Sequence, residues 1–384
     1  MTGPPSDERR QVVELARSFA REHLAPGAAA RDAASRFDRA VVDRLGELGF
    51  LGMLVPEAWD GLGLDTGTYL LAVEEIAAAD ASVAVSMAVH NALPAQMLVR
   101  HGSEAQKERW LKPMARGELL GAFALSEADA GSDAAGLRAQ AVRRGDGWVL
   151  NGTKQWVSNG GTADVVLAMV RTDREGERRG AHGIGCFVVP TDTPGYVVAK
   201  REDKMGLRSS DTASIHFDDL ALGPEHLLGE PGEGFVYALE ALDGGRLGVA
   251  AQACGIARAA LEHARRYASE RRQFGHAIAE FEAVAFRLAD MATRLEAARS
   301  LMLEAARRTD AGGHASGIAA MAKLFASETA MWVSTQAVQL FGGYGYMRDY
   351  PVERLMRDAK ATEIYEGTSE VQRVVIARDL LAST

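Results

Sequence analysis

Glu366 is the first residue to weigh for chemistry, because it stands in the run Ile364-Tyr365-Glu366-Gly367-Thr368-Ser369-Glu370-Val371-Gln372. Ser369 and Gln372 have the spacing of a capping box, so a helix is predicted to start there, with Gly367 loosening the chain just before it. A carboxylate in such a place can serve as a general base. It can equally be one of the acids that favour helix N-termini. Phe123, Leu125, Ser126 and Ser132 belong to the stretch 123–133, where hydroxyls and acids gather around Gly131 after an apolar run. That composition suits backbone contact with a polar ligand, or a turn rich in Asx and Ser interactions. Trp156 and Ser158 are two residues apart and so share one face of a strand, where they can stack on a planar ring and hydrogen-bond its edge; a core tryptophan beside a hairpin turn leaves the same trace. Arg271 and Arg272 close a helical pattern that has Asp243-Gly244-Gly245-Arg246 near its start. Their forked donors fit a phosphate, and basic residues also suit a helix C-terminus. The run from Gln339 to Tyr346 breaks an apolar helix with Gly342 and Gly343, which either bring backbone N–H groups up to a phosphate or adenine or simply cap the helix.

Other chemistries lack their signatures. No Gly-x-Gly-x-x-Gly follows a strand, and there is no Walker-type Gly-Lys pair, Gly-x-Ser-x-Gly elbow or His-Glu-x-x-His. The nine histidines are scattered without ligand spacing, so no metal site is expected. Cys186 and Cys254 are far apart, which argues against a disulfide framework and for a reducing, cytoplasmic compartment. With 52 acidic against 43 basic side chains the formal charge is −9, a balance against nucleic acid or an anionic membrane as partner. Residues 1–11 hold no apolar core of a secretory signal. Two stretches without charged side chains, 81–99 and 329–347, are interrupted by His90, Asn91, Pro94 and Gln96 and by Ser334, Gln336 and Gln339, so neither is expected to span a membrane.

The elements that must position these residues follow from periodicity. A length of 384 residues suggests two or three domains at roughly 150 residues each. Helical spacing runs from residue 6 to about 117, with Val12, Leu15, Ala16 and Phe19 on one face. Short β-rich runs separated by Asn151-Gly152, Asn159-Gly160 and Thr193-Pro194-Gly195 fill 119–228. Helical spacing then returns, in Val284, Leu288, Met291 and Leu295 and again in Met321, Leu324, Phe325 and Trp332. The fold class is therefore α+β, mainly α: an N-terminal helical domain (1–118), a middle antiparallel β domain (119–230) and a C-terminal helical domain (231–384), the two helical parts packing together beside the sheet.

Taken in order, these segments closely resemble the acyl-CoA dehydrogenase family over nearly the whole chain. The resemblance rests on Ala-Leu-Ser-Glu (124–127) with Gly-Ser-Asp (131–133), Leu-Asn-Gly-Thr-Lys-Gln-Trp-Val-Ser-Asn-Gly (150–160), Leu-Asp-Gly-Gly-Arg (242–246), Glu-Arg-Arg-Gln-Phe-Gly (270–275), Leu-Ala-Asp-Met-Ala-Thr (288–293), Phe-Gly-Gly-Tyr-Gly-Tyr (341–346) and Ile-Tyr-Glu-Gly-Thr-Ser-Glu (364–370). It implies a C-terminal four-helix bundle, with FAD at the junction of the β domain and the bundle. It also implies Trp156 against the isoalloxazine, Ser158 near N5, and Phe123, Leu125 and Ser126 along the pyrimidine side. Arg271 and Phe274 would hold the pyrophosphate of a neighbouring subunit's FAD, Gln339, Leu340, Gly342 and Gly343 would meet its adenosine end, and Thr368 and Glu370 would close the site. Ser132, Asp243 and Arg246 would bind the CoA moiety, with Tyr365 and Gly367 beside the substrate and Ser132 also near the cofactor. Glu366 would remove the α-proton of an acyl-CoA while hydride leaves for flavin N5, giving a trans-2-enoyl-CoA. Electrons would pass to an electron-transfer flavoprotein, and the shared cofactor implies a homotetramer built as a dimer of dimers.

Two positions depart from the family pattern, Ala128 in place of a frequent proline and Glu282 in place of a common glutamine. The segment 81–97, expected to line the acyl pocket, has no arginine, which disfavours a dicarboxylic acyl group because its buried carboxylate would lack a partner. Similarity is greatest to the short-chain and short branched-chain members. Two other readings keep the fold: an acyl-CoA oxidase using O₂, expected to be longer, and a non-catalytic acyl-CoA-binding protein, expected to have lost the base.

Overall fold

Short acidic caps and an apolar interior lay out the first helices in the computed structural model, which describes residues 7–173, 180–313 and 315–382. They are α1 (Asp7–Phe19), α2 (Ala25–Ala34), α3 (Arg39–Glu47), α4 (Thr66–Ala79), α5 (Ala81–His90), α6 (Gln96–His101) and the short α7 (Glu104–Gln106) and α8 (Lys112–Ala115). Asp65 accepts from Thr68 N at the start of α4, and Asp80 from Ser82 N and Val83 N at the start of α5. Each satisfies amides that have no partner inside the helix. Every residue of α5 is buried. The stretch Ala81–His101 is long and apolar enough to cross a membrane by composition, yet 89% of its most apolar window is enclosed by the rest of the molecule. It is a core element here.

The sheet follows as β1 (Gly121–Ala124), β2 (Gln140–Arg144), β3 (Gly147–Ser158), β4 (Val165–Arg171), β5 (Ile184–Pro190), β6 (Tyr196–Arg201), β7 (Thr212–Leu222) and β8 (Leu227–Leu228). Their order is β6-β7-β3-β2-β4-β5-β8, with β1 also on β4. The expected antiparallel sheet is in fact mixed. β1 and the start of β2 run parallel to β4, because the β2–β3 hairpin intervenes and brings the chain back to the end from which β1 departed. β4 and β5 are buried on both faces: Val165, Leu167, Met169 and Cys186 join the core shared with the helices, and Val166, Ala168, Phe187 and Val189 join a second core under β3 and β7.

The C-terminal part comprises α9 (Gly234–Glu270), a hairpin of β9 (Arg272–Gln273) and β10 (His276–Ala277), α10 (Glu282–Asp310), α11 (Ser316–Phe341), α12 (Pro351–Thr362) and α13 (Ser369–Ala382). The bundle is built on α9, α10 and α11, with α12 and α13 packed against α11. Its seam is made of small residues. On α11 the buried positions include Ala319, Ala322, Ala326, Ala330 and Ala337, while Met321, Leu324 and Trp332 are half-buried and Phe325 is exposed. The large side chains that announced the helical period thus flank the seam, because small ones let the helix axes approach. At Gly255 of α9 a Cβ would lie 2.5 Å from Glu74 O of α4, so the two halves of the chain also meet backbone to backbone.

One ionic cluster fastens that contact. Glu74 receives Arg258 Nε at 3.2 Å from α9 and Arg299 Nε at 3.0 Å from α10, while the adjoining Glu75 receives Arg258 Nη2 at 2.8 Å and Arg17 Nη2 at 3.0 Å. Removing the buried carboxylate leaves two cations without their shared partner. Glu74→Ala is therefore expected to lower the unfolding free energy by about 3 kcal/mol, read from chemical denaturation. A loss within about 0.5 kcal/mol would show that solvent satisfies both arginines.

Candidate active site

Glu366 lies in the reversal between α12 and α13, where the backbone is left-handed at two successive residues, φ 53° at Glu366 and 93° at Gly367. A glutamate in that region costs about 1–2 kcal/mol, and the loop is held by bonds from several elements. Gln372 Nε2 donates to Glu366 O at 3.1 Å and Gly367 O at 2.9 Å, and Lys323 Nζ donates to Gly367 O at 2.7 Å. Tyr365 OH donates to Gln252 Oε1, and Gln252 Nε2 donates in turn to Ala81 O at 2.9 Å. The expected capping box takes another form. Thr368 Oγ1 accepts Val371 N–H at 3.3 Å, so Thr368 is the cap and Ser369 the first helical residue. Ser369 Oγ is buried without a partner, since Ser369 already lies inside the helix, and the Gln372 side chain serves the Glu366 loop instead.

The carboxylate itself is set into an apolar wall. Glu366 Oε2 is fully buried and has no hydrogen-bond partner. It lies against Gly245 of α9, where a Cβ would collide with it and would stand 3.0 Å from Leu93 Cδ2. One helical turn on, a Cβ at Gly248 would be 3.2 Å from Tyr69 OH and 3.4 Å from Ala88 Cβ. Burial pushes the Glu366 pKa up to about 7, against the charges of Lys323 and Arg246, which pull it down. A carboxyl group so placed changes protonation near neutrality, as a general base must. Among the described residues the Glu366 amide N–H meets no backbone acceptor.

Arg246 is buried beside this group; its Nη1 pairs with Asp243 Oδ1 and stands 3.3 Å from Ser316 Oγ, and its Nε has no partner. Asp243 and Arg246 thus form a paired unit at the site. Ser132 is exposed in the loop after β1.

On the sheet, Trp156 departs from simple alternation. It has φ 57° within a bulge between Lys154 and Val157, which turns its ring outward so that it is 55% exposed, while Ser158 pairs with Thr212 and is half-buried. Phe123 lies on β1 and Leu125 and Ser126 just beyond it; Ser126 O accepts Gln155 N–H at 2.9 Å. A buried pair ties these strands: Lys154 Nζ donates to Leu125 O at 2.9 Å and Glu127 Oε1 at 2.7 Å, and Glu127 also accepts Arg138 N–H and Ala139 N–H. Asn159 Nδ2 then reaches Ser86 O and Gly121 O, joining β3 to α5 and β1.

Arg271, Leu340, Gly342 and Gly343 come together in a cleft of about 530 Å³ with Tyr267 and Tyr344. The Arg271 guanidinium stands 5.5 Å over the Tyr344 ring, and nothing lies within 4 Å of a Cβ at Gly342 or Gly343. Gln339 is exposed in the last turn of α11, and Phe274 is 91% exposed with φ 56° on the adjoining hairpin. No residue of strands β1 to β8 lines this cleft, and neither Trp156 nor Ser158 is among its walls. The open glycines, a cation over an aromatic ring and an outward tryptophan fit the parts of FAD: phosphates, adenine and a planar ring. Thr368 and Glu370 sit at the start of α13, where hydrogen bonds to its own N–H and to Thr368 hold the exposed Glu370 carboxyl below the ordinary range.

Sequence reasoning missed Gly245 as the floor of the carboxylate, Leu93 and Tyr69 as its walls, and Lys323 and Gln372 as its holders. Only Lys323 left a signal, a charge on an otherwise alanine-rich helix face.

Family models for the acyl-CoA dehydrogenase N-terminal, middle and C-terminal domains match residues 6–118, 122–220 and 232–381. The short-chain specific mitochondrial acyl-CoA dehydrogenase of Mus musculus is 46% identical over 98% of this chain and 91% of its own. Among solved structures, butyryl-CoA dehydrogenase from Megasphaera elsdenii superimposes with a TM-score of 0.97 at 44% identity, covering 99% of this chain and 100% of that one. A chain from a structure concerning the electron transferring flavoprotein of Acidaminococcus fermentans gives a TM-score of 0.97 at 46% identity over 99% of this chain and 100% of its own.

Proposed function

This chain belongs to the acyl-CoA dehydrogenase family of flavin-dependent oxidoreductases, and on that premise we propose that it dehydrogenates a short acyl-CoA thioester between Cα and Cβ, with Glu366 as the base. The observation that carries the proposal is Glu366 Oε2, buried without a partner and held over Gly245 with its pKa raised to about 7. FAD, when bound, supplies the acceptor for the hydride that leaves Cβ. Everything else falls to this chain. Glu366 takes the α-proton, and its carboxylate form, dominant above about pH 7, is the competent one. Substrate that expels the remaining water raises that pKa further and strengthens the base. The Glu366 amide N–H donates to the thioester oxygen as enolate character develops, an oxyanion contact that can contribute several kcal/mol. The Asp243–Arg246 unit and Ser132 meet the CoA moiety. Trp156, Ser158, Phe123, Leu125 and Ser126 form the flavin side, and Thr368 and Glu370 close it. The product is a trans-2-enoyl-CoA, and the electrons pass to an electron-transfer flavoprotein.

A short acyl group fits the wall around the base, where Leu93, Ala88 and the fully buried Tyr69 stand within 3.4 Å of Cβ positions on α9. The cleft at Arg271 would receive the phosphate and adenosine end of FAD bound to a second copy of the chain, within a homotetramer. Arg271→Ala should then weaken FAD retention by about tenfold or more, the worth of one charge-assisted phosphate contact. Full flavin occupancy after exhaustive dialysis of that variant would count against the assignment. The reaction is tested by anaerobic titration with butyryl-CoA, isobutyryl-CoA and octanoyl-CoA while the visible flavin band is followed. Bleaching by the four-carbon substrates ahead of octanoyl-CoA is expected; a band that none of the three bleaches would refute dehydrogenation of these acyl groups.

A further inference from the structure

Lys323 is fully buried on a face of α11 otherwise made of small residues, among them Ala319, Ala320, Ala326, Ser327 and Ala330. An ammonium there is costly unless it is paired, and a leucine or methionine would fill the space without that cost. Its hydrogen bond goes to a carbonyl, Gly367 O at 2.7 Å, and among the described residues no carboxylate lies in ion-pair contact with it. The charged and titratable groups that face the pair from the surrounding elements are Glu363, Tyr365 and Glu366 of the loop, Glu370 of α13, Arg246 of α9 and Tyr69 of α4. Of the carboxylates, only Glu366 is buried without a partner.

We infer that Lys323 is a positioning residue for the base: its ammonium pins the left-handed Glu366–Gly367 backbone through Gly367 O and holds a compensating positive charge beside the Glu366 carboxylate. The inference rests on Glu366 being the base. Three features point the same way. The two positive φ values need an anchor, and Lys323 and Gln372 converge on the same carbonyl oxygen from different helices. Glu366 Oε2 has no donor among the described residues, and Lys323 and Arg246 are the cations of this chain that answer its charge. Burial brings the Lys323 pKa down to about 8, against the pull of Glu366, so the cation persists at the pH where the base ionises.

The test is the pH dependence of flavin bleaching by butyryl-CoA in single-turnover experiments on the FAD-loaded protein. In K323M the loss of the cation raises the Glu366 pKa, so the acid limb should move up by about one pH unit. Loss of the pin should lower the limiting rate about tenfold. FAD content should be unchanged, and K323R, which keeps charge and donors, should restore the limb. Should K323M not fold, K323Q carries the same prediction for the limb, because it keeps a donor and loses the charge. An acid limb at the wild-type position in the folded uncharged variant would overturn the role of Lys323. A wild-type protein that butyryl-CoA does not bleach would instead overturn the short-chain dehydrogenase reading, and the role of Lys323 with it.

Discussion

Glu366→Gln should slow bleaching of the flavin by butyryl-CoA by about 10²–10⁴-fold, the range for losing a general base, while FAD content and thioester binding stay near those of the parent. The amide keeps the shape of the carboxylate in a wall made by Gly245 and Leu93, so the change is confined to proton affinity. Stopped-flow absorbance gives the bleaching rate, and the shift of the oxidised flavin spectrum on adding a non-reducible thioester gives binding. A variant that bleaches at a near-normal rate would mean that another group takes the proton.

The second large effect belongs to a residue with no side chain. Gly245→Ala places a methyl group against Glu366 Oε2, and the carboxylate must move by about 1 Å to regain van der Waals contact. Displacements near 1 Å can cost about 10²-fold in rate, so kcat should fall by that order. The fold should not suffer, because alanine is better than glycine inside a helix by about 1 kcal/mol. Gly244→Ala is the matched comparison: the nearest atom to its Cβ is Ala92 O at 3.7 Å, so the base stays in place and kcat should hold within a few fold. Equal losses of kcat in both variants, or a drop in Tm that accompanies the loss at Gly245, would show that helix packing rather than the carboxylate is disturbed.

What could be seen in the sequence was whatever depends on neighbours along the chain. The succession of helical, β and helical texture is local, and it matches the elements found. Glu366 was visible for the same reason, since its own segment announces a loop before a helix. The mixed sheet was not visible, because the direction of β4 relative to β1 is decided by a hairpin between them and not by either strand's residues. Trp156 was expected to share a strand face with Ser158; the bulge beside it, which needs the partner strand β7 to define it, and its φ of 57° were not visible. Thr368 took the cap from Ser369 because the helix begins one residue later than the capping-box spacing implied. The burial of Glu366 is the least local fact of all, since its floor comes from α9, its wall from the segment after α5 and its cation from α11. On α11 the large apolar residues drew attention, while the seam belonged to the alanines and to Lys323.

α9 is a single helix of 37 residues that bears Gly245 and Arg246 near one end and passes into Arg271 at the other, a separation of roughly 40 Å. If Arg271 serves the FAD of a second copy, each α9 belongs to two reaction centres at once. Damage is then shared out unevenly in a mixed population of chains. A chain defective at Glu366 and another defective at Arg271, assembled as a pair, concentrate both lesions in one centre and leave the other intact. Two alleles, each impaired alone, then complement each other in the same cell, a genetic property that follows from the length of one helix.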